Sequence, residues 1–225
     1  MTLSNLIFDL DYEPIQSFLI DQSLSLKKVH IHHCFLAELD FSLLSNLIDL
    51  GVFDCFHLQS IIFPNQNTIN HLNLTGLMNL ETLDSINFQR ISGLVLHYVS
   101  ESIVPKILSN CSSLLSFSLC LLSNDESIIF DYTSLYHVRF LTLYQNSAFF
   151  SELPRLEYLF SLKFERYDPF ELPSFENLTQ KFPRLNSISI NNASFVVNSL
   201  SKILVSVVTT VDAIMDQIIP LNNSI

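Results

Sequence analysis

Bulky apolar residues recur along the chain with a spacing that alternates across the middle of each copy. The pattern runs Leu26-x-x-Val29-x-Ile31-x-x-Cys34, then Leu47-x-x-Leu50-x-Val52-x-x-Cys55, then Ile69-x-x-Leu72-x-Leu74-x-x-Leu77. It continues through Ile91, Leu114, Val138, Leu159 and Leu185, and an opening copy begins at Leu3. The nine copies start at 3, 26, 47, 69, 91, 114, 138, 159 and 185, which is 21 to 26 residues apart. Successive strand side chains point to opposite faces, so the fourth and sixth positions of each copy enter a core together. The first position joins them from the preceding turn. One such coil cannot bury its own apolar face, whereas stacked coils share a continuous core.

The pattern predicts an α/β solenoid over residues 1–198, with a parallel, concave sheet of about nine strands and a convex side of mixed structure. Leu58-x-x-Ile61-x-Phe63-Pro64 reads as a convex strand, and Glu101 to Asn110 as a short helix. Beyond Ser199, Leu200, Ile203, Leu204, Val207, Val208, Val211, Ile214, Met215 and Ile218 follow a helical period that stops at Pro220. That segment, 199–219, is expected to be an amphipathic helix capping the last coil, with its β-branched residues leaving a strand over 204–211 as the alternative.

Over roughly residues 3 to 193 the chain resembles the leucine-rich-repeat family, through the L-x-x-L-x-L-x-x-C/N copies quoted above. The resemblance implies a horseshoe that binds other proteins on its concave face without catalysing a reaction. Cys34 and Cys55, at the ninth position of two copies, are similar to the cysteine-bearing repeats of F-box ubiquitin-ligase adaptors. The alternative this implies is the substrate-recognition part of such an adaptor.

Composition narrows the partners. With 48% hydrophobic and 15% charged residues the chain can bury a large core. Its net charge of −11 disfavours nucleic-acid backbones and anionic membranes. The four cysteines contain no C-x-x-C pair, which fits reduced thiols better than a disulfide-stapled domain or a zinc site. The first twelve residues carry Asp9 and Asp11 and lack the basic flank and apolar run of a signal peptide. The apolar run Ile203 to Val211 is too short to span a bilayer. A cytoplasmic or nuclear protein is expected, not a secreted one.

Catalytic signatures are missing. Gly51, Gly76 and Gly93 lie too far apart for a phosphate loop, and no H-E-x-x-H or G-x-S-x-G occurs. No enzyme activity, cofactor or metal is expected. Five of the seven histidines, His30, His32, His33, His71 and His97, fall at outward positions of the template. With Asp49 and Asp54 between them, a metal-binding protein using these coils is a further alternative. Polar positions on a solvated sheet are the ordinary explanation.

The outward positions also partition charge. Of 45 such positions, five hold basic residues (Lys27, Lys28, Arg139, Lys163, Arg166) out of eleven in the chain, but only four hold acidic ones out of 22. The concave face is therefore expected to prefer a protein with a neutral or acidic surface. Tyr98, Leu115, Leu121, Phe140, Tyr144 and Phe160 would join Arg139, Lys163 and Arg166 in a partner-binding patch, since aromatic and Arg side chains are common hot-spot types. Lys28, His30, His32 and His71 form a secondary patch.

Overall fold

The structure, a computed structural model, describes residues 6–7, 21, 26–64, 68–121, 132–144, 153–165, 178, 180–191 and 204–208. Its strands are β1 (Leu6–Ile7), β2 (Lys28–His32), β3 (Glu38–Asp40), β4 (Asp49–Phe53), β5 (Ser60–Ile62), β6 (His71–Thr75) and β7 (Thr82–Asp84). There follow β8 (Gly93–His97), a short helix α1 (Val104–Leu108), β9 (Ser116–Cys120), β10 (Phe140–Tyr144), β11 (Ser161–Glu165), β12 (Ser187–Asn191) and β13 (Leu204–Val208). Ten strands form one parallel sheet in the order β1-β2-β4-β6-β8-β9-β10-β11-β12-β13, and β3-β5-β7 form a second. The chain is a parallel-sheet solenoid with little helix.

From β2 to β12 the long sheet keeps the register of the repeat. Val29, Leu50, Leu72, Leu94, Phe117, Leu141, Leu162 and Ile188 stand side by side as successive partners. All are at most 2% exposed, as are the sixth-position residues from Ile31 to Phe164. First-position residues Leu26, Leu47, Ile69, Ile91, Leu114, Val138 and Leu159 are fully buried. The core fills the space between the two sheets, where Leu39 of β3 and Ile61 of β5 belong to the same cluster as Leu50 of β4.

The four coils from β2 to β8 leave their strands in one way. His33, Asp54, Gly76 and Tyr98, all at the eighth position, have φ between 53° and 70°. Their N–H groups donate to Phe53, Thr75, His97 and Cys120, the seventh residues of the next coils, at 2.8–2.9 Å. This left-handed step turns the ninth residue inward, and Cys34, Cys55, Leu77 and Val99 are at most 2% exposed. The Cys34 N–H donates to the Cys55 sulfur at 3.3 Å, and the Cys55 thiol donates to the Phe53 carbonyl at 3.3 Å. The ladder satisfies backbone groups that burial would otherwise leave unpaired.

The convex strand expected near Ile61 is β5, and the helix expected within Glu101 to Asn110 is α1, with Pro105 in its first turn. Three expectations are corrected. The long sheet has ten strands among the described residues, not nine. In the opening copy Leu6 pairs with Ile31, a sixth-position residue, so it sits two places from the template register. Leu204–Val208, expected in a capping helix with a strand over 204–211 as the alternative, is strand β13, with Val205 opposite Ile188 and Val207 opposite Ile190. The open edge of β12 offers hydrogen-bond partners to a segment of three valines, a leucine and a serine that has weak helix propensity. The remainder of 199–219 lies outside the described residues.

Candidate protein-binding face

The outer face of the long sheet carries the third, fifth and seventh residues of each repeat, and its two ends differ in chemistry. Over β2 to β8 it is a bonded polar and aromatic layer. The Lys28 ammonium lies 2.9 Å from one Asp49 oxygen, and His30 Nε2 lies 3.4 Å from the other. Burial raises the Asp49 carboxyl, but the bonds to Lys28 and His30 outweigh it and hold the group below its ordinary value. The His32 ring stacks on Phe53 at 4.3 Å with the planes 8° apart. Burial, followed by the neighbouring His30 and His33, lowers the His32 pKa. His71 overhangs Gly93, where a Cβ would come 2.4 Å from its Nδ1. The four residues of the expected secondary patch thus share one area, with Lys28 tied internally to Asp49. Among the described residues no group of three or more His, Cys, Asp and Glu is arranged to hold a metal ion.

Of the main patch, the structure brings together four residues on the rim where the strands begin. Leu115, just ahead of β9, is 42% exposed; Phe140, opening β10, 51%; Phe160, just ahead of β11, 46%. The rings of Phe140 and Phe160 meet edge to face, 6.4 Å apart. Exposed Arg139 lies between them in the backbone network, its N–H donating to the Leu115 carbonyl at 2.8 Å and its own carbonyl accepting from Phe160 and Ser161 at 2.9 Å.

The remaining residues are placed otherwise. Leu121 is 7% exposed and belongs to the core, so its placement in a partner patch is corrected. The reason is local: positive φ marks the eighth position of the four preceding described coils but not Leu121, so the side chain at that site turns under the sheet. Tyr144 is half-buried and packs edge-on against His97, with ring centres 4.5 Å apart. Tyr98 is the half-buried left-handed residue after β8. Lys163 is engaged in an ion pair with Glu165. Arg166 lies outside the described residues.

Two surface features escaped the sequence reading. In the turns before β10, β11 and β12, Tyr136, His137 and Tyr158 form a mutual ring cluster with centres 5.3–5.8 Å apart, and the Arg184 guanidinium sits 5.0 Å over Tyr158. At the opposite rim Phe35, Phe56 and Met78, each following a ninth-position residue, are 72%, 50% and 45% exposed. Both recur at fixed offsets from the template, just before its first residue or just after its ninth, and that periodicity was the available signal.

No family model matches the chain, no curated protein matches it and no solved structure matches it. Among the described residues no helix is long and apolar enough to cross a membrane.

Proposed function

We propose that the chain is a non-enzymatic protein-binding scaffold of the leucine-rich-repeat type, engaging its partner with the outer, concave face of the long sheet. The observation that carries this reading is the exposure of Leu115, Phe140 and Phe160 on three successive coils, with Arg139 among them. Large apolar side chains on a β-solenoid normally fill the core. Here the core is complete without them, so no folding requirement explains their presence on one rim. Aromatic and arginine side chains in a cluster are the residue types that dominate binding energy at protein interfaces. The leucine-rich-repeat assignment is supported by the inward first, fourth, sixth and ninth positions of the coils.

The reading is tested by comparing the wild-type chain with a Phe140→Asp/Phe160→Asp variant in affinity capture followed by cross-linking and mass spectrometry. A partner cross-linked near this rim in the wild type, and lost in a variant with unchanged circular dichroism, is the expected result. Identical capture by both proteins would overturn it.

A further inference from the structure

We propose that the rim where β2, β4 and β6 end receives a basic segment of a partner protein, one that carries Lys or Arg beside an aromatic or aliphatic anchor. This surface lies on the opposite rim from Leu115, Phe140 and Phe160 and does not depend on the reading given to them. Phe35, Phe56 and Met78 each follow a ninth-position residue, on three successive coils, and all three are exposed. The core does not use them, because Leu36, Leu58 and Leu80, one or two residues further on, turn inward and are buried. The His57 ring, 6.0 Å from that of Phe35, continues the strip between the first two coils. At the usual strand spacing of about 4.8 Å the three apolar side chains span about 10 Å. The turns that carry them are tied down. The Leu58 and Leu80 N–H groups donate to the Cys55 and Leu77 carbonyls at 3.0 and 3.2 Å, and Asn79 Nδ2 donates to the Phe56 carbonyl of the coil before at 2.7 Å. A strip held in this way is ordered before a partner arrives.

The charge beside the strip decides what it accepts. Between Lys28 and Arg90 the sequence holds six carboxylates and no Lys or Arg. Residues 1–89 as a whole hold ten carboxylates against Lys27 and Lys28, a net −8 of the chain's −11. Those two lysines stand at the start of β2, the far end of the strand from this rim, and Lys28 is paired with Asp49. Carboxylates flank the strip on both sides. Asp54, two residues before Phe56, holds its carboxylate over Gly76 of the next coil, two residues before Met78. Glu38, opening β3, and Glu81, just ahead of β7, are exposed on the other side, three residues beyond Phe35 and Met78 respectively. Glu38 accepts from Ser60 Oγ at 3.1 Å. Neither glutamate pairs with a Lys or Arg among the described residues, which include nine of the chain's eleven. The other two, Arg166 and Lys202, follow β11 and precede β13, towards the other end of the sheet. Such a surface repels phosphate backbones and anionic membranes, and a simple cation would leave the apolar strip uncovered. A basic segment with an apolar anchor complements both features.

The probe is a displayed library of random twelve-residue peptides selected on the whole chain, with enriched peptides then measured by fluorescence anisotropy. Enriched peptides are expected to place Lys or Arg beside Phe, Tyr, Trp, Leu or Met. Their affinity should drop by about tenfold or more in Phe35→Ser/Phe56→Ser and in Glu38→Lys/Glu81→Lys. It should weaken between about 50 and about 300 mM salt, and stay unchanged in Phe140→Asp/Phe160→Asp, the variant of the other rim. Circular dichroism and urea midpoints of the same proteins separate lost binding from lost folding. Glu38→Gln/Glu81→Gln, which keeps an acceptor for Ser60, should show an intermediate loss. Enrichment of neutral or acidic peptides overturns the proposal, as do basic peptides indifferent to both variants of this rim. Peptides lost only in Phe140→Asp/Phe160→Asp would overturn it and support the reading of the other rim. A library that yields no binder would remove it and leave the capture experiment to decide that other reading.

Discussion

The ring of Phe53 occupies the space a side chain at Gly51 would need: a Cβ there would lie 2.5 Å from Phe53 Cε2 and 2.9 Å from His30 Cδ2. The missing side chain at the fifth repeat position, the middle of β4, is what lets the His32–Phe53 stack lie flat on the sheet. Gly51→Ala meets only the ends of flexible side chains, so the rings can swing aside, and the expected cost is about 1 kcal/mol. Gly76→Ala is different. Its φ of +70° is strained for an L residue, and its Cβ would lie 3.0 Å from the Asp54 Cα and 3.1 Å from the Asp54 nitrogen, neither of which can rotate away. A cost of about 2 kcal/mol or more is expected. Urea midpoints should rank wild type, Gly51→Ala, Gly76→Ala in falling order, and a reversal of the two variants would show that the left-handed exit is not the tighter constraint.

The cysteines should separate by what their sulfurs bond. Cys55 accepts the Cys34 N–H, whereas burial alone pushes the Cys111 thiol up to about 12. The shared hydrogen bond with Cys34, together with burial, holds the Cys55 thiol protonated, well above its ordinary value. Cys55→Ala and Cys111→Ala remove the same atom from buried sites, but only the first strands a buried backbone donor. It is expected to cost about 1–3 kcal/mol more than the second in equilibrium unfolding. Equal losses would mean that the ninth-position sulfur contributes only volume.

These contrasts show where sequence pattern is sufficient. Val29 and Ile31, or Leu141 and Leu143, announce an inward pair two residues apart, and the strands followed because the alternation is local and repeated. The pattern is blind to register at its ends. Leu3, Leu6 and Phe8 favour Leu6 at the fourth position, and only pairing with β2 puts it opposite the sixth. Val207 satisfies the helical period of Leu204, Val207 and Val208 and the strand alternation of Val205 and Val207 at once, and the open edge of β12 decides for the strand. For the candidate site, Leu115, Arg139, Phe140 and Phe160 were legible because they precede or open strands whose register was certain. Tyr136, His137, Tyr158 and Arg184 were not, because turn residues have no alternation to betray their direction.

Leu115 and Leu121 flank the same strand and should behave as opposites. Leu115 is 42% exposed, Leu121 7%. Leu121→Ala opens a cavity in the core and is expected to destabilise the chain by about 2–5 kcal/mol. Leu115→Ala should change stability by no more than about 0.5 kcal/mol while weakening capture of any partner held by this rim. Thermal melts and binding measured on the same two proteins check both halves. A destabilised Leu115→Ala would reassign that side chain from recognition to folding.

His97 gives the solenoid a pH dependence of definite sign. Burial lowers its pKa from the ordinary 6.5 to about 4, against a weaker upward pull from Glu165. Its Nε2 sits 2.7 Å from the Ser118 hydroxyl and its ring packs edge-on to Tyr144, both on the long sheet. The folded protein therefore refuses a proton that the unfolded chain accepts below about pH 6.5. The contribution is complete above that pH and is lost as pH falls from about 6.5 towards about 4, where folded His97 itself becomes charged. Between pH 7.5 and pH 5 the loss from this residue is expected to reach about 2 kcal/mol. His97→Gln offers Ser118 an amide partner and cannot titrate, so its urea midpoint should fall less steeply over that range than the wild type's. The other histidines and the carboxylates are common to both proteins and cancel in the comparison. Parallel pH profiles would show that the His97 imidazole is charged in the folded state at pH 5, which the Ser118 and Tyr144 packing does not accommodate without rearranging.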